Sequence, residues 1–170
     1  MTKTQLQKKV CMLGDFSVGK TSLVRRFVYD LFEDKYLSTI GVKITRKSVE
    51  LTHDVDHLLV WDLAGGEEFS GTQTSYLQGA SGGILVCDLT RKKTLSILEN
   101  YAGQLQKIRP NAALILVANK SDLINEQEIS QADLELTANK LDAKWFVTSA
   151  KTGENVETAF YELASSFIAK

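Results

Sequence analysis

The run Gly14-Asp15-Phe16-Ser17-Val18-Gly19-Lys20-Thr21 places glycine, glycine, lysine and threonine at the spacing of a phosphate-binding loop. It lies between an apolar stretch and an amphipathic one. Such a loop wraps successive backbone N–H groups, here those from Ser17 to Ser22, around a polyphosphate, while Lys20 reaches the β and γ groups. The Thr21 hydroxyl takes a place on Mg²⁺. Gly14 and Gly19 supply the backbone freedom that so tight a wrap requires. These residues imply a bound nucleotide.

Two further stretches bear on which nucleotide it is. Asn119-Lys120-Ser121-Asp122 follows the apolar run Ala112 to Ala118, and Ser149-Ala150-Lys151 follows Trp145 to Thr148, so both belong at strand ends. They form a candidate base pocket. The Asp122 carboxylate accepts from N1–H and the exocyclic amine of guanine, whereas adenine presents an acceptor at N1 and leaves the carboxylate unpaired. Guanine is therefore expected. Asn119 and Lys120 would brace the loop and pack on the base, and the Ala150 N–H would meet the guanine O6.

The phosphate loop, Thr39, Trp61-Asp62-Leu63-Ala64-Gly65, Asn119 to Asp122 and Ser149 to Lys151 resemble, in order and spacing, the small GTPases of the Ras superfamily. The resemblance covers nearly the whole chain. Tyr36-Leu37-Ser38-Thr39-Ile40-Gly41-Val42 and Tyr76-Leu77-Gln78-Gly79-Ala80 are most similar to the Rab branch. It implies a P-loop GTPase (Ras-like) α/β fold over residues 1–170, a six-stranded, mainly parallel sheet with one antiparallel strand and helices on both faces. The implied cofactors are GTP or GDP and Mg²⁺.

By the same resemblance, Lys20, Thr39 and Gly65 form the catalytic set and Thr21, Thr39 and Asp62 the metal set, with Asp62 holding Mg²⁺ through its waters. Thr39 ligands the metal when the γ-phosphate is present, and the backbones of Thr39 and Gly65 contact that phosphate. Loss of the phosphate would release residues 32–42 and 63–78, the two segments read by effectors, exchange factors and activating proteins. Phe32 matches an aromatic that packs near guanine, with a core phenylalanine as the alternative. Ile40, Trp61, Phe69 and Tyr76 match exposed apolar residues offered to effectors, with core positions as the alternative. His53, Asp54, Asp56 and His57 read as a solvated hairpin turn, not a metal cluster.

Two positions depart from the family. The residue after Gly65, usually the glutamine that orients the attacking water, is Gly66, and Glu67 and Glu68 do not replace it. Phe16 stands where Ras relatives typically carry glycine and many Rab proteins serine, and its ring would crowd the γ-phosphate and obstruct an arginine supplied in trans. Both changes act against hydrolysis. The expectation is a rate at or below the intrinsic Ras scale of about 3–5 × 10⁻⁴ s⁻¹. The alternative is a binding module that holds GTP constantly and scaffolds a partner without a cycle. A P-loop ATPase or kinase is disfavoured by Asn119 to Asp122.

The elements that must position these residues follow from periodicity. Lys9 to Leu13, Gly83 to Cys87 and Leu114 to Ala118 read as buried strands, and Val42 to Leu51 with Leu58 to Trp61 as an antiparallel hairpin turning through Thr52 to Asp56. Helices are expected over Thr21 to Tyr29, around Leu95 to Ile108 ahead of Pro110, from Ser130 to about Leu141, and along Val156 to Phe167 with Asn155 as a cap. The chain of 170 residues, 44% of them hydrophobic, suits one domain. With 20 basic against 21 acidic residues, no electrostatic case exists for nucleic acid or an anionic membrane. Cys11 and Cys87 read as reduced core thiols. The expected protein is a cytoplasmic monomer. The sequence ends at Phe167-Ile168-Ala169-Lys170 without cysteine, so no lipid anchor is expected in this chain.

Overall fold

The protein is described by a computed structural model covering residues 6–35, 39–51, 54–65 and 74–168, with the backbone alone for 54–56. Its sheet grows from short apolar runs. Strands β1 (Leu6–Leu13), β4 (Gly82–Asp88) and β5 (Ala113–Asn119) lie in the middle, β2 (Val42–Leu51) and β3 (Asp54–Leu63) on one side, and β6 (Lys144–Val147) at the other edge. The order is β2-β3-β1-β4-β5-β6, antiparallel between β2 and β3 and parallel elsewhere.

Central parallel strands are covered on both faces, so their sequences alternate between two cores, not between core and water. Val10, Met12, Ile84, Val86, Ile115 and Val117 point to one core. Cys11, Leu13, Leu85, Cys87, Leu116 and Ala118 point to the other. The first core is closed by α1 (Lys20–Tyr29) and by the last helix, Val156–Ser166, through Leu23, Val24, Phe27, Phe160 and Leu163. Phe27 and Phe160 stack with ring centroids 4.1 Å apart. The second core is closed by Leu98–Ile108 and Gln131–Leu141, with Leu98, Leu105 and Leu134 buried. Numbered in order, the helices after α1 are α2 (Lys93–Ser96), α3 (Leu98–Ile108), α4 (Gln131–Leu141) and α5 (Val156–Ser166).

Several local expectations change. The helix expected around Leu95 to Ile108 is two pieces divided at Ile97, where the Ser96 hydroxyl donates to the Lys93 carbonyl at 2.8 Å and competes with the helical ladder. β3 begins at Asp54 and not at Leu58, because cross-strand pairing continues to Leu51↔Asp54. His57 therefore leaves the expected turn: it is buried within β3, with the Ser48 hydroxyl 2.8 Å from its Nδ1. His53 and the side chains of Asp54 and Asp56 lie outside the described residues. Asn155 holds the N-cap position of α5 but does not cap it, since its amide donates to the Val147 carbonyl at 2.9 Å. Ser130 caps α4, with Asp133 completing a capping box. Both cysteines are free and buried, and burial pushes the Cys11 thiol up to about 11 and Cys87 to about 12.

Candidate functional site

The carboxyl ends of β1, β3, β4 and β5 open on one edge, where a cavity of about 380 Å³ lies between the phosphate loop and the base-pocket loops. Ser17, Gly19, Lys20, Thr21, Ser22, Phe32, Thr39, Gly65, Asn119, Lys120, Asp122, Ala150 and Lys151 all line it. Val18 and Ser149 are wholly buried and do not line it. Parts scattered over the sequence thus meet in one place.

The phosphate loop closes on α1 through Gly19, whose φ of 102° ends the turn and begins the helix. A Cβ on Gly19 would stand 2.3 Å from the Asn119 amide nitrogen, so only glycine lets the base loop approach. Lys20 is buried and folds back to donate to the Gly14 carbonyl at 2.6 Å and the Asp15 carbonyl at 2.9 Å. Burial lowers its pKa to about 8, although Asp62 and Asp15 pull it upward. An anion in the cavity would favour its charged form. Gly65 is also closely approached: a Cβ there would lie 2.7 Å from Lys20 Nζ and from the Phe16 nitrogen.

The oxygen atoms of the metal set lie close together. The Thr21 hydroxyl donates to Asp62 Oδ2 at 2.5 Å and lies 2.7 Å from the Thr39 hydroxyl, itself 3.5 Å from Oδ2. Asp62 is 1% exposed, and its Oδ1 is buried without a hydrogen-bond partner among the described residues. Burial raises its pKa, against the hydrogen bond from Thr21 and the charge of Lys20. A lone buried carboxylate among hydroxyl oxygens, with one oxygen unpaired, fits a hard cation such as Mg²⁺.

In the base pocket, Asn119 Nδ2 donates to the Val18 carbonyl at 3.0 Å, and its Oδ1 accepts from Thr148 Oγ1 at 3.1 Å. Asn119 thus ties the loop at Val18 to the loop at Thr148. The Ala150 N–H donates to the same Oδ1 at 3.2 Å, and Ala150 lines the cavity. Ser149 holds Asp122 through a 2.7 Å bond to its Oδ1.

Other expectations fall differently. Ile40 is 93% exposed, but Trp61 and Tyr76 are only half-buried partners of the second core, and Lys9 Nζ sits 3.5 Å above the Trp61 ring. Phe69 lies outside the described residues, as do Tyr36, Leu37, Ser38, Gly66, Glu67 and Glu68. Phe32 lines the cavity and also packs on the first core. The two switch segments meet where the Ala64 N–H donates to the Gly41 carbonyl at 3.0 Å, extending the pairing of Val42 with Leu63.

Sequence reasoning passed over three residues here. Arg26, on α1, donates to the Ala150 and Lys151 carbonyls at 2.8 and 2.6 Å, a bond across 124 positions for which no local signal exists. Asp88 was legible as a carboxylate at a strand's carboxyl end on the ligand edge. Arg91 follows from it, bonding Asp88 Oδ2 at 3.0 Å.

A sequence model of the Ras family matches residues 9–169. The chain belongs to the Ras family. Human Ras-related protein Rab-22A is 37% identical over 157 residues, covering 92% of this chain and 81% of that protein. Rat Ras-related protein Rab-13 is 36% identical over 166 residues, covering 95% of this chain and 80% of its own. A Ras-like, six-stranded P-loop fold, with Rab-like relatives, identifies a GTP-binding small GTPase. Members of the family bind GTP or GDP with Mg²⁺ and engage effectors, exchange factors and activating proteins. Among the described residues, no helix is long and apolar enough to cross a membrane.

Proposed function

We propose that this chain is a guanine-nucleotide switch that holds Mg-GTP and hydrolyses it slowly, signalling to effectors in trafficking or a related pathway through residues 32–42 and 63–78. Lys20 would release the Gly14 and Asp15 carbonyls and turn to the β- and γ-phosphates. Thr39 and Gly65 would offer their backbone N–H groups to the γ-phosphate. Thr21, Thr39 and Asp62 would hold Mg²⁺, which neutralises charge developing on the transferred group. Asp122, braced by Ser149, would select guanine, with Asn119, Lys120, Ala150 and Lys151 around the base.

Slow hydrolysis rests above all on Phe16, whose ring is 55% exposed at the cavity it lines. A ring there occupies space that an activating arginine would need. Gly66 acts in the same direction, because its side-chain position offers no amide to align water. The protein would work as a cytoplasmic monomer, with no role for nucleic acid.

Single-turnover hydrolysis of GTP by the wild type, Phe16→Gly, Gly66→Gln and the double variant tests this reading. The expected wild-type rate is at or below about 5 × 10⁻⁴ s⁻¹, with the double variant fastest. A wild type that hydrolyses as fast as the double variant would refute the role given to both positions. No turnover in any variant, with GTP retained, would favour a permanently loaded scaffold.

A further inference from the structure

Asp88 ends β4 at the ligand edge and is 1% exposed, yet it does not line the cavity. Its Oδ2 accepts from Lys120 Nζ at 2.9 Å and from Arg91 Nε at 3.0 Å. Its Oδ1 accepts from the Thr90 N–H at 2.9 Å and the Thr90 hydroxyl at 2.7 Å. Hydrogen bonds from Thr90 and Lys120 outweigh burial and keep the carboxyl below the usual carboxylate range. The anchor is a charged, fully engaged carboxylate.

Arg91 carries the network onward, donating from Nη2 to the Phe16 carbonyl at 2.6 Å. The next residue, Ser17, has a φ of 60°, a left-handed conformation that a serine adopts only at a cost and a glycine adopts freely. A trans peptide points its C=O and N–H in opposite directions. Arg91 is outside the cavity lining whereas Phe16 and Ser17 belong to it, so drawing the carbonyl to Arg91 turns the Ser17 N–H to the cavity side.

We infer that Arg91, anchored by Asp88, is a positioning residue that holds the Phe16–Ser17 peptide with its N–H toward the phosphate beyond the α-phosphate and offsets the strain of a serine at that turn. Through the shared Asp88 oxygen, the same anchor joins the phosphate loop to Lys120 of the base pocket. The inference rests on the guanine-nucleotide reading and adds a residue to it.

The test compares GDP and GMP affinities by displacement of a fluorescent GDP, for wild type, Arg91→Met, Arg91→Lys, and Arg91→Met combined with Ser17→Gly. Methionine keeps the packing stem and removes the donors. Arg91→Met should weaken GDP about tenfold or more, the scale of one charge-assisted hydrogen bond, and leave GMP within about twofold. Ser17→Gly should restore part of the GDP affinity, because glycine needs no help to hold the turn. Arg91→Lys should show a smaller loss of the same GDP-selective kind, and it decides the matter if the methionine variant does not fold. Equal weakening of GDP and GMP, unchanged GDP affinity, or no rescue by Ser17→Gly would each overturn the inference. Failure of the wild type to bind GDP would instead overturn the nucleotide reading beneath it.

Discussion

Removing the Asp122 carboxylate should cost more against guanine than against any other base, because two guanine donors then face no acceptor. Asp122→Ala is expected to lower GDP affinity by about a hundredfold or more while the melting temperature of the nucleotide-free protein changes little. Displacement of fluorescent GDP measures the first and thermal unfolding the second; an unchanged affinity would place the base elsewhere. At this scale the sequence was most informative where a motif fixes residue types at a set spacing, as with Lys20, Thr21 and Asp122, which line one cavity, and Asp62, which accepts from Thr21. It was least informative where a residue acts on distant backbone. Arg26 holds the Ala150 and Lys151 carbonyls from another element, and nothing near it in sequence announces that. The Ala150 N–H illustrates the same limit, since its bond to Asn119 Oδ1 depends on two loops meeting.

Among the helices, α4 has the most clearly made beginning. Ser130 Oγ accepts from the Asp133 N–H at 3.1 Å, and Asp133 returns a carboxylate to the Ser130 N–H at 2.9 Å. Ser130→Ala should cost about 1 kcal/mol in denaturant unfolding, the usual worth of an N-cap. A loss within error would mean that packing of Leu134 and Ala138 alone sets the helix start. The backbone hydrogen bond from Ser130 lowers the Asp133 pKa, so its stabilisation is present above the ordinary value of 3.8 and fades as pH falls through the lower folded value. Elements of this kind were legible because cap and apolar face are both local. The break at Ile97 was not, since the apolar stripe Leu95, Leu98, Ala102 and Leu105 runs through it unchanged. The hairpin showed the opposite error: His57 and its neighbours look like turn residues, but pairing with β2 extends the strand through them. Local polarity yielded to a ladder that only the fold reveals.

For the molecule as a whole, the sheet edge gathers the residues proposed to contact phosphate, metal and base from strands far apart in sequence, so ligand binding should be linked to fold stability. At Mg-GDP concentrations about a hundredfold above Kd, mass action should add about 2.7 kcal/mol, or roughly 5–10 °C in melting temperature for a domain of this size. Mg-ADP should add almost nothing if Asp122 discriminates as described. Equal shifts with both nucleotides would remove the guanine assignment. The most direct measurement is to denature protein purified without added nucleotide and identify by chromatography what it releases. Slow hydrolysis, attributed to Phe16 and Gly66, predicts mostly GTP. Mostly GDP would contradict that attribution and require another group to align the water, and an adenine nucleotide would contradict the base pocket itself.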